Sequence, residues 1–140
     1  MLFRSYEEGR IDLHRILIPS PLSTFLMRAQ GEAMRGDGIH HGDLLVIDQA
    51  LTPRTGCMVV AVHEGRFIVR RLCLGPGRQC PPRLEASDGV SPPIAVETGQ
   101  GGGADLWGVV THAVRCLELE NRHHNHRSGL RGQADGRRGP

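Results

Sequence analysis

Residues 58–72, MVVAVHEGRFIVRRL, constrain this chain more than any other stretch. Two runs of apolar and β-branched residues, Met58 to His63 and Arg66 to Leu72, flank the two-residue connection Glu64-Gly65. β-branched side chains lose rotamer freedom on a helix and pack well on a pleated sheet. A glycine in so short a connection supplies the positive φ that a tight turn needs. The segment predicts an antiparallel hairpin, and the rest of the chain must supply the sheet around it. Helices have little room, since 19 glycines and 9 prolines are spread over 140 residues,. No 15-residue stretch keeps a helical apolar period, and there is no internal repeat.

The remaining elements follow from the same punctuation. Ile11 to Ile18 is the first apolar stretch, and Pro19-Ser20-Pro21 ends it. Ser23 to Ala29 (STFLMRA) reads as a strand. Gly31, Gly36, Gly38 and Gly42 then break the chain into loop or one short helical turn,. Leu44-Leu45-Val46-Ile47-Asp48, bounded by Gly42-Asp43 and Pro53, reads as a buried strand,. Residues 75–104 are rich in Gly, Pro and small polar residues, with Ile94-Ala95-Val96 as one strand, and Leu106 to Leu117 supplies a last long one. About seven short strands point to a mostly-β domain over residues 11–120. A short polar arm, 1–10, precedes it. An Arg/His/Gly-rich tail, 121–140, follows, with only Leu130 and Ala134 apolar, and reads as disordered,.

Charge and chemistry narrow the function. A net charge of +2 is too small to argue for nucleic-acid binding by electrostatics alone, and Arg122, Arg127, Arg131, Arg137 and Arg138 in the tail read as solvated,. All 17 basic side chains are Arg. No lysine general base, Schiff base or phosphate-loop lysine can exist here, and Gly31–Gly42 lacks the rest of a phosphate-loop pattern. Cys57, Cys73, Cys80 and Cys116 form no C-x-x-C pair, so a zinc knuckle is not expected. His123, His124 and His126 could chelate a metal adventitiously, but such a tail is better read as solvated,. No metal and no cofactor are expected. Glu7 and Glu8 interrupt the start before any leader can form, and no apolar run reaches membrane-spanning length,. The expectation is a soluble cytoplasmic protein with reduced thiols.

One set of residues carries a family likeness. Arg10-Ile11-Asp12-Leu13, Ala29-Gln30-Gly31-Glu32-Ala33-Met34, Gly38-Ile39 and Gly42-Asp43-Leu44-Leu45-Val46-Ile47-Asp48 follow one another in order. Val69-Arg70-Arg71-Leu72 and Trp107-Gly108-Val109-Val110 complete the set. Over roughly 110 residues the chain resembles the C-terminal domain of the LexA/UmuD family, the S24 self-cleaving serine peptidases, and is most similar to the UmuD branch. The resemblance implies a fold of short, twisted, barrel-like strands.

It also implies a Ser–Lys dyad, and this chain departs from it at both places. A serine hydroxyl attacks only when a base takes its proton, and a buried lysine can be that base because desolvation lowers its pKa. The family's serine lies in a Gly-Asp/Glu-Ser-Met segment; here Ala33 stands in its place. The family's lysine lies in the second hairpin strand, where the matching residue is Arg70, or Arg71 if the register slips by one. An arginine stays protonated. Removing one member of such a unit typically costs on the order of a million-fold in rate, so the catalytic positions Ala33 and Arg70 predict a pseudoenzyme. The competing reading is an S24 peptidase with a substitute nucleophile, Ser23 or Cys57, served by His40, His41 or His63. In the bland reading Arg70 packs its stem beside Ile68 and Leu72 and sends its head to an acid or solvent.

Other departures bear on the cleft and the switch. Arg78-Gln79-Cys80-Pro81-Pro82-Arg83-Leu84-Glu85 replaces an Asn-containing segment of the family. Adjacent prolines remove ladder donors, so this strand is expected at a sheet edge or lost, and the cleft it helps shape is expected to be poorly formed. The ten residues before Ile11 leave no room for an operator-binding domain, so sequence-specific DNA binding is not expected. They also lack the Cys-Gly or Ala-Gly bond that UmuD-like proteins cut, and the chain starts near where a processed product would. The resemblance then implies a non-catalytic accessory subunit of a Y-family translesion DNA polymerase in the SOS response. Implied partners are a second copy or a UmuD-like homologue, the polymerase and a RecA filament, with no membrane. A degenerate homologue that forms inhibitory heterodimers is the further alternative. Dimer contacts are expected along the edge of the last strand, at Val109, Val110, Thr111 and Val114.

Overall fold

In the computed structural model, which describes residues 10–76, 81–97 and 102–118, seven strands form one antiparallel sheet. Helix α1 (Leu13–Leu17) comes first, followed by β1 (Thr24–Arg28), β2 (Leu44–Asp48), β3 (Met58–His63) and β4 (Arg66–Cys73). Then come β5 (Arg83–Glu85), β6 (Ile94–Ala95) and β7 (Asp105–Val114). Their order across the sheet is β1-β2-β7-β3-β4-β5-β6. The hairpin closes as its sequence requires: His63 pairs with Arg66, and Glu64 and Gly65 hold φ of 52° and 73°. Two positive φ values in a two-residue turn are the type I′ geometry, which matches the twist of the strands it joins.

Alternation along the strands divides the core between two clusters. Leu45, Ile47 and Val60 join one with Ala29, Met34 and Ile39. Val59, Ala61, Leu72, Leu84, Ala104 and Val109 form the other. Neighbours in sequence such as Val59 and Val60 fall on different clusters because successive strand side chains point to opposite faces. Met34 and Ile39 come from the loop between β1 and β2, so that loop is packed against the sheet rather than left in solvent. A single 3₁₀ turn, Arg35–Asp37, is the only regular structure within it. Asp12 caps α1 by accepting from the Arg15 amide at 3.3 Å, and the helix leaves Leu13 and Ile16 exposed.

Two expectations are corrected. β7 is no edge: it lies between β2 and β3, with Val109 opposite Asp48 on one side and Val59 on the other. Val109 is buried and Val110 packs against the first cluster, so a charge at Val110 would strike the core and not a dimer contact. Pro81-Pro82 also neither abolish β5 nor push it to the rim. β5 begins just after them and has β4 on one side and β6 on the other, while the Pro82 carbonyl accepts from the Val96 amide at 3.1 Å. The prolines lack donors, but the ladder starts beyond them.

Candidate functional site

An open cleft of about 800 Å³ is lined by two extended segments, residues 27–31 at the end of β1 and residues 65–70 of the hairpin. Ala33 and Arg70, far apart in sequence, both line it. The cleft is thus formed, contrary to the expectation drawn from the double proline. Met34, Ile39, Leu45, Val60 and Phe67 give it apolar walls.

The segment carrying Ala33 is held from three directions. The Gly31 amide donates to His41 Nδ1 at 2.9 Å, and the His41 amide donates to Glu32 Oε1 at 3.3 Å. The Ala33 carbonyl accepts from the Ser87 amide at 2.8 Å, and the Asp37 amide donates to Ser87 Oγ at 3.1 Å. Glycine at 36 permits this approach, since a Cβ there would lie 2.5 Å from the Ser87 carbonyl oxygen. The third hold is Asp43, fully buried, whose carboxylate takes Arg115 Nε at 2.7 Å and Nη2 at 2.8 Å. Arg115 Nη2 also reaches the Gly38 carbonyl, at 2.6 Å, and the His40 amide donates to Asp43 Oδ2 at 2.9 Å. Leu44 pairs with Val114 in the ladder, so Asp43 and Arg115 are the next residues along it. The Arg115 hydrogen bond is the main reason the Asp43 carboxyl stays below the usual carboxylate range; burial opposes it and the His40 amide assists,.

Adjacent arginines on β4 have different occupations. Arg71 Nη1 donates to Asp37 Oδ1 at 2.8 Å, and its Nη2 lies 3.8 Å from Glu85 Oε2. Arg71 therefore ties the Ala33 loop to β4 and β5. Arg70 donates from Nη1 to the Val69 carbonyl at 2.8 Å, while its Nε is buried without a hydrogen-bond partner. Burial pushes the Arg70 guanidinium pKa down, and the charge of Asp88 opposes that. Asp88 itself is brought to about 2 by the Ser91 hydroxyl and by the Ser91 and Val90 amides.

The proposed substitute nucleophiles and bases do not meet in the cleft. Ser23, Cys57, His40, His41 and His63 are all absent from its lining. Ser23 Oγ donates to the Ser20 carbonyl at 3.3 Å, Cys57 packs on the second core cluster, and His40 Nδ1 lies 3.5 Å from Glu32 Oε2. Among the described residues no group of three or more His, Cys, Asp or Glu is placed to hold a metal ion, and no helix is long and apolar enough to cross a membrane. Cys80, His123, His124, His126, the first nine residues and the tail lie outside the described residues.

Sequence reasoning missed Ser87 and Arg115 as supports of this site. Ser87 had no local signal, because its role depends on the loop that returns from β5. Arg115 is 72 residues from Asp43, and only the strand register brings the two together.

The Peptidase S24-like family profile matches residues 1–110. ImpA of Salmonella typhimurium is 40% identical over 115 residues, covering 81% of this chain and 74% of ImpA. MucA of Escherichia coli is 33% identical over 111 residues, 79% of this chain and 73% of MucA. The LexA repressor of Acidithiobacillus ferrooxidans is 40% identical over 73 residues, 51% of this chain and 35% of that repressor. With the order of motifs, the hairpin register and these matches in agreement, the chain belongs to the S24 peptidase-like family, in its LexA/UmuD group.

Proposed function

We propose that this chain is a non-catalytic, UmuD-like protein of SOS mutagenesis that stands in for the processed form and acts as an accessory subunit of a Y-family translesion polymerase. One observation carries the reading: the two residues at the family's nucleophile and base positions, Ala33 and Arg70, line a formed cleft. A methyl group has no oxygen to attack with, and a guanidinium keeps its proton at any physiological pH. The cleft can hold a chain but cannot cut one. Similarity to ImpA and MucA over about four-fifths of the chain supports the SOS-related role.

A protein without self-cleavage has no use for a cleavage switch, so control passes to its expression. Pairing with a second copy uses the edge of β1, which among the described residues has a strand on one side only and exposes Phe25 and Leu26. Unpaired strand edges are templates for β-addition. Tagged protein taken from undamaged host cells is expected to sediment as a dimer and to co-purify with a Y-family polymerase. Leu26→Arg, at a side chain already 53% exposed, is expected to weaken the dimer and leave the fold intact. A stable monomer without affinity for the cognate polymerase at micromolar concentration would overturn the reading.

A further inference from the structure

We propose that His41 is a proton-operated latch on one wall of the cleft: its neutral ring holds Gly31 in place, and protonation at Nδ1 releases it. Ala29, Gln30, Gly31 and Ala33 belong to that wall. Its two ends are pinned by main-chain bonds. The Ala29 amide donates to the Asp43 carbonyl at 2.9 Å, and the Ala29 carbonyl accepts from the Gly42 amide at 2.8 Å. The Ala33 carbonyl accepts from the Ser87 amide at 2.8 Å. Between those pins the hydrogen bonds that cross the loop run to His41. The Gly31 amide donates to its Nδ1 at 2.9 Å, and the His41 amide donates to Glu32 Oε1 at 3.3 Å.

The pins keep their hydrogen bonds at any physiological pH, but the bond to the ring depends on its charge. A neutral imidazole has one nitrogen without a proton, and the Gly31 N–H marks that nitrogen as Nδ1, with the proton on Nε2,. Protonation makes Nδ1 a donor as well. Two donors then face each other and the bond is lost. Histidine is the side chain whose charge ordinarily changes between about pH 5 and 8. His41 is exposed, so solvent protons reach the ring directly.

The surrounding charges give the protonated ring a new partner. Glu32 is the carboxylate beside it, and Glu32 Oε2 also lies 3.5 Å from His40 Nδ1. As a donor, Nδ1 can turn to that carboxylate in a charge-assisted bond. The other ionised groups around the loop are committed. Arg115 holds the Asp43 carboxyl below the usual carboxylate range, so Asp43 stays ionised while histidine titrates. Arg115 Nη2 also reaches the Gly38 carbonyl, and Arg28, at the end of β1, donates to the Gly42 carbonyl. The result is a wall fixed at neutral pH and released between its pins in mild acid. It works the same whether or not the cleft is chemically silent.

The test is amide solvent exchange in the full chain, followed by NMR from about pH 7.5 to about pH 5 and corrected for the intrinsic rate of each amide. Protection at Gly31 is expected to fall about fivefold, in step with the His41 ring resonances, as one ordinary hydrogen bond is lost. Ala29, whose acceptor is a main-chain carbonyl, is expected to keep its protection throughout. His41→Asn offers a side-chain oxygen that does not titrate, and is expected to make Gly31 protection independent of pH. His40→Asn is expected to leave the wild-type fall in place, which separates the two neighbouring rings. Flat Gly31 protection in the wild type, a fall that survives in His41→Asn or vanishes in His40→Asn, or a parallel fall at Ala29 would overturn the proposal.

Discussion

The double variant Ala33→Ser/Arg70→Lys is expected to cut a UmuD-like arm peptide supplied in trans, while the wild type and both single variants leave it whole. Nucleophile and base work as a unit, so supplying one without the other restores nothing measurable. The site is suited to the base. Burial already pushes the Arg70 guanidinium pKa down, and the same surroundings would push a lysine toward its neutral, proton-accepting form, with the charge of Asp88 opposing,. The gain over either single variant should be on the order of a thousand-fold, read as peptide cleaved per hour at alkaline pH by mass spectrometry. A folded double variant that stays inert would show that the cleft has lost its geometry as well as its reactive groups.

Asp43→Ala is expected to cost about 3 kcal/mol of stability in urea unfolding at neutral pH. The carboxylate is fully buried and receives two hydrogen bonds from Arg115, just past the end of β7, and one from the His40 amide within the Ala33 loop. Hydrogen bonds to charged groups are the stronger kind, and their loss leaves the Arg115 and His40 donors without this acceptor. The pH dependence follows from the depressed pKa of Asp43. Folding favours the ionised form, so its contribution is complete above the unfolded-state carboxylate pKa and is lost as pH falls through the lower folded value. The wild type should therefore lose stability in acid, and Asp43→Asn should show a shallower acid limb. An acid limb unchanged by Asp43→Asn would remove Asp43 from this account.

The parts of the fold set by local chemistry were legible in the sequence. The Glu64-Gly65 turn and its β-branched flanks gave β3 and β4, and the apolar run before Asp48 gave β2 with the same ends. The glycines of Gly31–Gly42 leave loop and one short helical turn as alternatives, and the structure has a 3₁₀ turn there, Arg35–Asp37. What could not be read was strand order. The β-branched pattern of residues 106–117 suits an edge or a centre equally, and only the pairing of β7 with both β2 and β3 decides between them,. Pro81-Pro82 misled for a related reason, since a proline's cost depends on whether it lies inside the ladder or just before it. At the candidate site, Ala33 and Arg70 were found through the family's motifs. The contacts that position them, from Ser87, Arg71 and Arg115, arise between distant segments and leave no local trace.

The central claim is that this cleft holds without cutting, and the intact mass of the wild-type protein tests it most directly. After prolonged incubation at alkaline pH, and again with an activated RecA filament, a single species of full-length mass is expected, unreactive toward serine-directed reagents. A shortened chain whose appearance is abolished by Ser23→Ala or Cys57→Ala would contradict the account and restore the peptidase.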